Sequence, residues 1–455
     1  MSSNSLVTDG NDKGVATGDF ASRFSAHDFV EETVRAADIV VKSERRMMRE
    51  PHILLATTGQ LPSTARLAME LRDAGARVGL IAPSKHPAWT LDLFAYRAIY
   101  RAPAPQRSLE AAALRFRPDM VIPCDERTVR CLYALWRSTR HPRVKDLIER
   151  STAPARNFAV VTSRAALLTL AQKEGVRVPP SAALPDKGAL DRWAEANATP
   201  FVLKADGSWA GFGVRIISDA ATASDAYARM TQPISGRLAL RESLLEGNHF
   251  DVRSWLLRER RAMSVQGYVD GWPANIGVAC WQGEVLAATC AEAVATESAT
   301  GPSTVVRIIH NAEMIDSATR IVKALGLSGM IGFDFMIEAA TGAAYLIEMN
   351  PRNTPICAVR LGPGRDLAEA LIARISGRPV RERPPRTDRD IVVFFPDTWQ
   401  DNPANLFLNS GYHDVPWEQP NLVRVLMLPR RRERYGIWRL LRRVWLAINA
   451  GRDGS

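Results

Sequence analysis

Short apolar runs alternate with amphipathic stretches in the first third of the chain. The runs at 52–57, 77–82 and 119–123 have the length of strands, and the stretch 63–74 between the first two has helical periodicity. Apolar strands that alternate with helices predict a parallel sheet covered on both sides. Loops at the carboxyl ends of such strands commonly bind ligands, and Cys124-Asp125-Glu126 follows the last of these strands.

In the middle of the chain, neighbouring strands are joined by turns. Strands are predicted at 274–280 and 284–289, on either side of a Gln282-Gly283 turn, and helices at 161–174 and 312–325. Two strands joined by so short a turn pair antiparallel. The second part of the chain is therefore predicted to contain antiparallel sheet.

A β-hairpin is predicted from two strand-like runs, 331–338 and 345–352, which flank the turn Ala340-Thr-Gly342. Alternate side chains on a strand share a face. A three-residue loop with Gly342 in the left-handed conformation sets Asp334 directly across from Glu348.

The polar positions of this hairpin are expected on one face, where Asn350 joins Asp334 and Glu348. Three oxygen ligands on an apolar ribbon suit a hard divalent cation, because unpaired buried carboxylates are unfavourable. Arg352 adds a positive charge suited to phosphate. The pattern predicts a magnesium–nucleotide site, and an exposed hairpin with an acidic outer face is the alternative. The opposite face is expected to carry Phe333, Phe335, Tyr345, Ile347 and Met349.

A strand followed by a glycine-containing loop is the second candidate element. Lys204 lies on the strand at 200–205, and Gly207, Gly211 and Gly213 follow it. Glycines let backbone N–H groups approach phosphate oxygens, and the lysine adds a point charge beside them. The alternative is an ordinary hairpin loop without a ligand.

A candidate hinge lies at 241–252, where a predicted strand breaks at Gly247 into another strand. Its backbone is a candidate for pairing with a nucleotide base.

Composition and cysteine spacing limit the classes of protein to consider. The 455 residues are 46% hydrophobic and 24% charged, which is ordinary for a globular protein. No apolar run reaches the roughly 18 residues of a spanning helix, and the polar N-terminus lacks a secretory signal. Five scattered cysteines without a C-x-x-C pair argue against a disulfide framework or zinc site, so a cytoplasmic location is expected.

Lys204, the glycine loop, the candidate hinge and the acidic hairpin occur in this order, and the chain resembles the ATP-grasp ligase superfamily over residues 51–380. The resemblance implies a Rossmann-like α/β domain followed by two α+β lobes that hold ATP between antiparallel sheets. Four parts are expected: an N-terminal extension with a helix at 1–50, the Rossmann-like domain at 51–150, the ATP-grasp domain at 151–380, and a linker, small module and C-terminal helix at 381–455.

The resemblance also implies roles for individual residues. Lys204 and Arg164 are expected at the nucleotide phosphates, with the loop 207–213 folding over them. Arg352 is expected at the terminal phosphate or acyl-phosphate, and Arg307 is a second candidate there unless it is an exposed strand residue. The implied metal ligands are Asp334, Glu348 and Asn350. Adenine and ribose are expected near Glu242, Ser243, Leu245, Glu246 and His249, with either Glu246 or His249 at the ribose.

The activity implied by the resemblance uses ATP and Mg²⁺, which Mn²⁺ can replace. A carboxylate attacks the γ-phosphate to give an acyl-phosphate, and an amine or similar nucleophile then displaces phosphate. Two alternatives remain: carboxyphosphate chemistry of the biotin carboxylase or carbamoyl-phosphate synthase kind, and a non-catalytic ATP-binding regulatory module.

The end of the chain is basic, because residues 429–449 contain seven arginines against one glutamate. On a helix, the apolar positions form one stripe with arginines beside it. Either the stripe packs on the protein with solvated arginines, or the helix lies on an anionic membrane surface. Nucleic acid is not an expected partner, because nothing else predicts a basic groove with stacking aromatic residues. The sequence gives no oligomeric state.

Overall fold

Three β-sheets organise the part of the chain that the structure describes. This computed structural model describes residues 50–206, 213–232, 235–236, 255–256, 258, 261–298 and 300–428. The predicted N-terminal helix, the predicted hinge at 241–252 and the basic segment 429–449 lie outside these residues. None of the helices within the described ranges is both long and apolar enough to span a membrane.

The first sheet is parallel, with strand order β3-β2-β1-β4. Leu54 and Ala56 of β1 pack into one core, and Ile53 and Leu55 pack into another, so both faces of the strand are buried. This confirms the α/β arrangement predicted from apolar strands alternating with helices. Its elements are β1 His52–Ala56, α1 Pro62–Asp73, β2 Arg77–Ala82, β3 Tyr96–Ile99, α2 Pro105–Phe116, β4 Met120–Pro123, α3 Glu126–Ser138 and α4 Pro142–Ser151.

The second sheet is antiparallel, with strand order β5-β8-β6-β7, and it follows the helices α5 Phe158–Val161 and α6 Arg164–Lys173. One face is buried under two helices, with Phe201 and Leu203 at the centre of this small core. Its elements are β5 Ser181–Leu184, α7 Lys187–Ala196, β6 Phe201–Ala205, β7 Val214–Ile217, α8 Ala223–Met230 and β8 Met263–Gly267.

The third sheet has seven strands in the order β13-β12-β9-β10-β11-β14-β15, and its pairs are antiparallel except for β14 with β15. The predicted antiparallel sheet is therefore confirmed. Its elements and the helices that follow them are β9 Gly271–Trp281, β10 Glu284–Thr296, β11 Ser303–Ile309, α9 Ala312–Leu325, β12 Gly329–Glu338, β13 Ala344–Asn350, α10 Leu367–Ser376, β14 Ile391–Val393, α11 Asp397–Asp401, α12 Phe407–Ser410, β15 Tyr412–His413 and α13 Pro420–Leu426.

Glycines on the third sheet let a short 3₁₀ helix, Pro355–Ala358, approach it closely. A Cβ atom on Gly332 would lie 2.6 Å from the Thr354 side chain, and one on Gly277 would lie 2.8 Å from Ile356. Gly332 and Gly277 are cross-strand partners, so the close approach spans two strands. The 3₁₀ helix therefore lies over the sheet two residues away from Asp334.

The chain passes from the second sheet to the third at residues 268–270, between β8 and β9. This corrects the predicted hinge, because the segment 241–252 precedes β8 and the chain is still in the second sheet at Gly267. The prediction followed a local glycine after an acidic strand, whereas the crossing is defined by which sheet each strand joins.

The stretch 378–386 has no helix or strand but is held by ion pairs. Arg378 and Arg381 bond the buried carboxylate of Glu369 on α10, and both donate to the carbonyl of Ala74 after α1. Arg383 bonds Asp366 through two nitrogens. The predicted linker, which starts at 381, thus begins within a stretch that joins the first domain to α10. The C-terminal extension then continues into β14 and β15 of the third sheet.

Candidate functional site

The acidic hairpin places Asp334 of β12 directly across from Glu348 of β13, as predicted. Gly342 has φ +74°, also as predicted. The hairpin reaches this pairing with a loop and a strand that both differ from the prediction. The loop between the paired residues Ile337 and Ala344 is longer than expected, and a β-bulge at Ile347 on the other strand compensates for it.

The bulge changes which β13 side chains share a face. Phe333 pairs with Met349 and Phe335 with Leu346, and all four side chains are buried. Tyr345 lies on the same side as Glu348, and Ile347 is the bulged residue. The prediction that Tyr345 and Ile347 occupy the apolar face was therefore wrong, because strict alternation fails at a bulge.

Asn350 and Arg352 extend the polar face from the end of β13. The Asn350 side-chain amide donates to Asp334 Oδ2 at 2.8 Å, and Asn350 Oδ1 accepts from Arg352 Nη2 at 3.1 Å. Arg352 also donates to the carbonyl of Asn353 at 3.0 Å. The hairpin thus holds this guanidinium beside the carboxylate pair, as its spacing predicted.

Lys204 faces the hairpin from the second sheet. It is paired with Ser264 on β8, and Gln266 lies on the same face two residues further along. Gln266 Nε2 donates to the carbonyl of the bulged Ile347 at 3.2 Å, so this face is turned toward β13. Lys204 is only 5% exposed. Burial, together with nearby Arg164, lowers the pKa of Lys204 to about 8.

Arg164 bridges the two sheets at the start of α6. One guanidinium nitrogen donates to Glu348 Oε1 at 2.7 Å, and another donates to Asp206, just after β6, at 3.2 Å. The Arg164 side chain is 7% exposed. Burial opposes its charge, but Glu348 and Asp206 raise the pKa of Arg164 above its ordinary value.

The two facing carboxylates have different surroundings. Burial and the neighbouring Glu348 charge raise the pKa of Asp334 to about 6. Burial also disfavours the charge of Glu348, but Arg164 and Lys204 outweigh it and hold the pKa of Glu348 below its ordinary value. A divalent cation between the two groups would favour ionisation of both.

The parallel-sheet domain also contributes to the site. Glu126 and Arg130 of α3 line a cavity of about 30 Å³ together with Arg164, Asp206 and Glu348. Glu126 lies 3.9 Å from the guanidinium of Arg352, and burial raises the pKa of the Glu126 carboxyl.

Asp125 is committed to holding the loop after β1. Its carboxylate accepts from the hydroxyls of Thr57 and Thr58, and it caps α3 by accepting from Thr128 N–H. A carboxylate with this many protein donors is not free to bind a ligand. Of the acidic pair after β4, Glu126 therefore faces the site and Asp125 supports it.

The remaining predicted residues fall into two groups. Arg307 forms an ion pair with Glu292 at 2.5 Å and is half exposed. Strand pairing places Arg307 in the cross-strand row next to the row that contains Asp334. Side chains of adjacent rows point to opposite faces of a sheet, so Arg307 and Asp334 lie on different faces. The structure therefore does not bring Arg307 to the cluster. Gly213 pairs with Ala205 at the end of the β6–β7 hairpin, where the glycine loop was predicted. The other predicted positions lie outside the described residues: Gly207, Gly211, Glu242, Ser243, Leu245, Glu246 and His249.

Sequence reasoning missed Asp206, Ser264 and Gln266 as site residues, and it gave Arg130 no role. None belongs to a recognisable local motif. Ser264 and Gln266 could have been found only from the pairing of β8 with β6, which is a contact between distant segments.

The oxygen donors suit a hard cation, with two carboxylates and two asparagine amides on one face. Among the residues that the structure describes, no group of three His, Cys, Asp or Glu side chains could hold a metal. A cation here would therefore need amide, phosphate or water oxygens to complete its coordination.

Comparison with known families agrees with this arrangement. Residues 168–355 match the family model of the ATP-grasp domain. Over this span the chain is similar to ATP-grasp domains. The matched span begins after Arg164 and includes Lys204 and the whole acidic hairpin. The resemblance inferred from the order of these motifs is thereby confirmed.

Solved structures show the same fold beyond the ATP-grasp domain. N5-carboxyaminoimidazole synthase from Aspergillus clavatus, in complex with ADP and 5-aminoimidazole ribonucleotide, is 12% identical over 73% of this chain and 78% of its own, with a TM-score of 0.52. N5-carboxyaminoimidazole synthetase from Staphylococcus aureus is 11% identical over 73% and 80%, with a TM-score of 0.51.

The biotin carboxylase domain of Hydrogenobacter thermophilus 2-oxoglutarate carboxylase, in complex with MgADP, ADP and bicarbonate, is 14% identical over 73% of this chain and 71% of its own, with a TM-score of 0.52. At these identities the similarity concerns the fold. A search of curated proteins found no match.

Proposed function

We propose that this chain is an ATP- and Mg²⁺-dependent ligase that activates a carboxylate as an acyl-phosphate and joins it to an amine. The observation that carries this proposal is the pairing of Asp334 with Glu348, whose charges act on the buried Lys204. Arg164 bonds Glu348, and Arg352 is held by Asn350. This combination supplies oxygen ligands for a cation and positive charges for phosphates within one site.

The nucleotide is proposed to lie between the second and third sheets. Lys204 and the β6–β7 hairpin loop would contact the phosphates, in line with the similarity of residues 168–355 to the ATP-grasp domain. The adenine is proposed to lie against the crossing segment 268–270, because this is where the chain joins the two sheets that enclose the site.

Asp334, Glu348 and Asn350 would hold Mg²⁺, which would offset the charge of the phosphates when bound. Lys204 and Arg164 add fixed positive charge from the other side. Phosphoryl transfer depends mainly on position and electrostatic stabilisation, so the site needs no protein nucleophile.

Arg352 is proposed to act on the acyl-phosphate. Asn350 and the Asn353 carbonyl fix its guanidinium, so its direction is set before substrate binds. A fixed cation beside the reacting carbonyl stabilises the oxyanion that forms when an amine attacks. Glu126 and Arg130 lie on the side of the parallel-sheet domain, where the acid and amine would enter.

The proposal is tested by ADP release from the full chain with ATP, Mg²⁺ and a panel of carboxylates and amines. Release that depends on both a carboxylate and an amine supports ligation. Release that depends on bicarbonate indicates carboxyphosphate chemistry instead, and nucleotide binding without any stimulated release favours a regulatory module.

Glu348→Gln is expected to abolish stimulated release because it removes one of the two carboxylates. Glu338→Gln is the matched control, since Glu338 ends the same strand as Asp334 but its carboxylate bonds Thr341 in the turn. Wild-type rates in Glu348→Gln at saturating Mg²⁺ would contradict the site assignment.

A further inference from the structure

We infer that Asn275 is a further ligand of the divalent cation, so that the cation-binding face spans three strands; this inference rests on the proposed function. Nothing in the local sequence marks Asn275 for this role, because it lies on β9, about 60 residues before the acidic hairpin. Its position is known only from the pairing of the strands.

The register places Asn275 beside the carboxylate pair. Asp334 is the cross-strand partner of Glu348 on one side and of Asn275 on the other. Directly opposed residues of antiparallel strands project from the same face, with Cβ atoms about 4.5–5.5 Å apart. Glu348, Asp334 and Asn275 therefore form a row of oxygen-bearing side chains across β13, β12 and β9.

The side-chain oxygen of Asn275 is buried and has no hydrogen-bond partner among the residues that the structure describes. The next residue in its row, Ala291, is apolar and completely buried, so that neighbour offers no side-chain donor. A buried amide oxygen without a partner is unfavourable. A cation held by the adjacent carboxylates would satisfy it, since asparagine carbonyl oxygens are ordinary ligands of hard cations.

The other amide of the cluster is already engaged. Asn350 donates its N–H to Asp334 and accepts from Arg352 with its oxygen. An Asn350 oxygen that coordinates the cation would therefore be shared with the Arg352 guanidinium that it holds. Asn275 can supply an amide oxygen without disturbing another contact of the site, so it is the better placed of the two.

The test measures Mn²⁺ binding in the presence of ADP, from the electron paramagnetic resonance signal of free Mn²⁺, so it needs no knowledge of the substrates. Asn275→Leu and Asn275→Asp have nearly the size of asparagine, and only the second keeps an oxygen. Thr289→Val is the matched control. Thr289 lies on the same face two residues further along the strand, and its buried oxygen also has no partner within the described part of the chain.

We expect Asn275→Leu to weaken Mn²⁺ binding about 10–100-fold, the range typical of lost partners at metal sites. Asn275→Asp should bind Mn²⁺ at least as tightly as the wild type, and Thr289→Val should match the wild type. Asn275→Ala is measured alongside, so that the result does not depend on the folding of the leucine variant, and circular dichroism confirms the fold of each.

Superimposable titrations of the wild type, Asn275→Leu and Asn275→Ala would overturn the inference and leave the proposed function standing. Equal weakening in Thr289→Val would also overturn it, because the effect would then come from general disturbance of the sheet. If the wild type binds no Mn²⁺ with ADP, the proposed function itself fails.

Discussion

Replacing Arg164 by methionine should loosen the contact between the two lobes and, at the same time, strengthen the response to Mg²⁺. The guanidinium joins Asp206 after β6 to Glu348 of β13, so its removal breaks two ion pairs. It also removes a cation from the carboxylate oxygen that the proposed metal would need.

The size of the effect follows from burial. The Arg164 side chain is 7% exposed, and the Asp206 and Glu348 side chains are 17% and 32% exposed. Removing one partner of a buried pair costs about 3–5 kcal/mol, whereas an exposed pair contributes about 0–1 kcal/mol. A loss of about 2–3 kcal/mol is expected, which corresponds to roughly 4–12 °C in Tm if 1 kcal/mol shifts Tm by about 2–4 °C.

The assay is thermal unfolding of the wild type and Arg164→Met with and without Mg²⁺. Arg177→Met is the control, because Arg177 pairs with Glu313 at a similar distance of 3.0 Å but both side chains are well exposed. The Mg²⁺-induced rise in Tm should be larger in Arg164→Met than in the wild type, since the competing guanidinium is gone. The reasoning is refuted if Arg164→Met behaves like Arg177→Met in both respects.

Three further predictions concern stability. Glu369→Gln should lower the free energy of unfolding by about 3–5 kcal/mol, measured in urea, because two arginines would lose a fully buried carboxylate. Burial opposes the charge of Glu369, but these arginines lower the pKa of Glu369 to about 2. The contribution of Glu369 to stability should therefore fade as pH drops from 4.5 toward 2. Burial lowers the pKa of His86 to about 4. As pH falls, this histidine is therefore protonated in the unfolded chain before it is protonated in the folded chain, and stability should fall by about 3 kcal/mol between pH 6.5 and 4. His86→Asn should lack this loss. Gly332→Ala should destabilise by about 1–3 kcal/mol in urea unfolding, because its Cβ would meet Thr354 at 2.6 Å, whereas Gly342→Ala meets no atom and should be limited to backbone strain.

The order of elements and the acidic pair could be predicted because both are local properties of the sequence. Apolar runs of strand length indicated the parallel sheet, and residue parity brought Asp334 across from Glu348. That register was predicted correctly although both the loop and the strand differ from expectation. The longer loop and the bulge cancel at Glu348, and the error appears at the bulged Ile347 and at Tyr345 beyond it.

Contacts between distant segments could not be predicted. Arg164 was expected at phosphates, but its partners Asp206 and Glu348 depend on how α6 lies against two sheets. The stretch 378–386 has the proline and arginine content of a linker, yet its partners include the carbonyl of Ala74, about 300 residues earlier. The hinge was misplaced for the same reason, since strand pairing and not local composition determines where the chain changes sheets.

Both carboxylates of the acidic pair have protein partners in the structure. Arg164 donates to Glu348 and Asp206, and Asn350 donates to Asp334. A site of this kind does not leave its carboxylates unpaired in a partly buried environment, which would be unfavourable. A metal–nucleotide complex would therefore compete with these contacts, because its cation and the Arg164 guanidinium would both interact with the Glu348 carboxylate. The net free energy of binding would therefore be smaller than the sum of the new contacts. Arg164 would oppose binding of the free cation, and it would favour a cation that arrives together with phosphates.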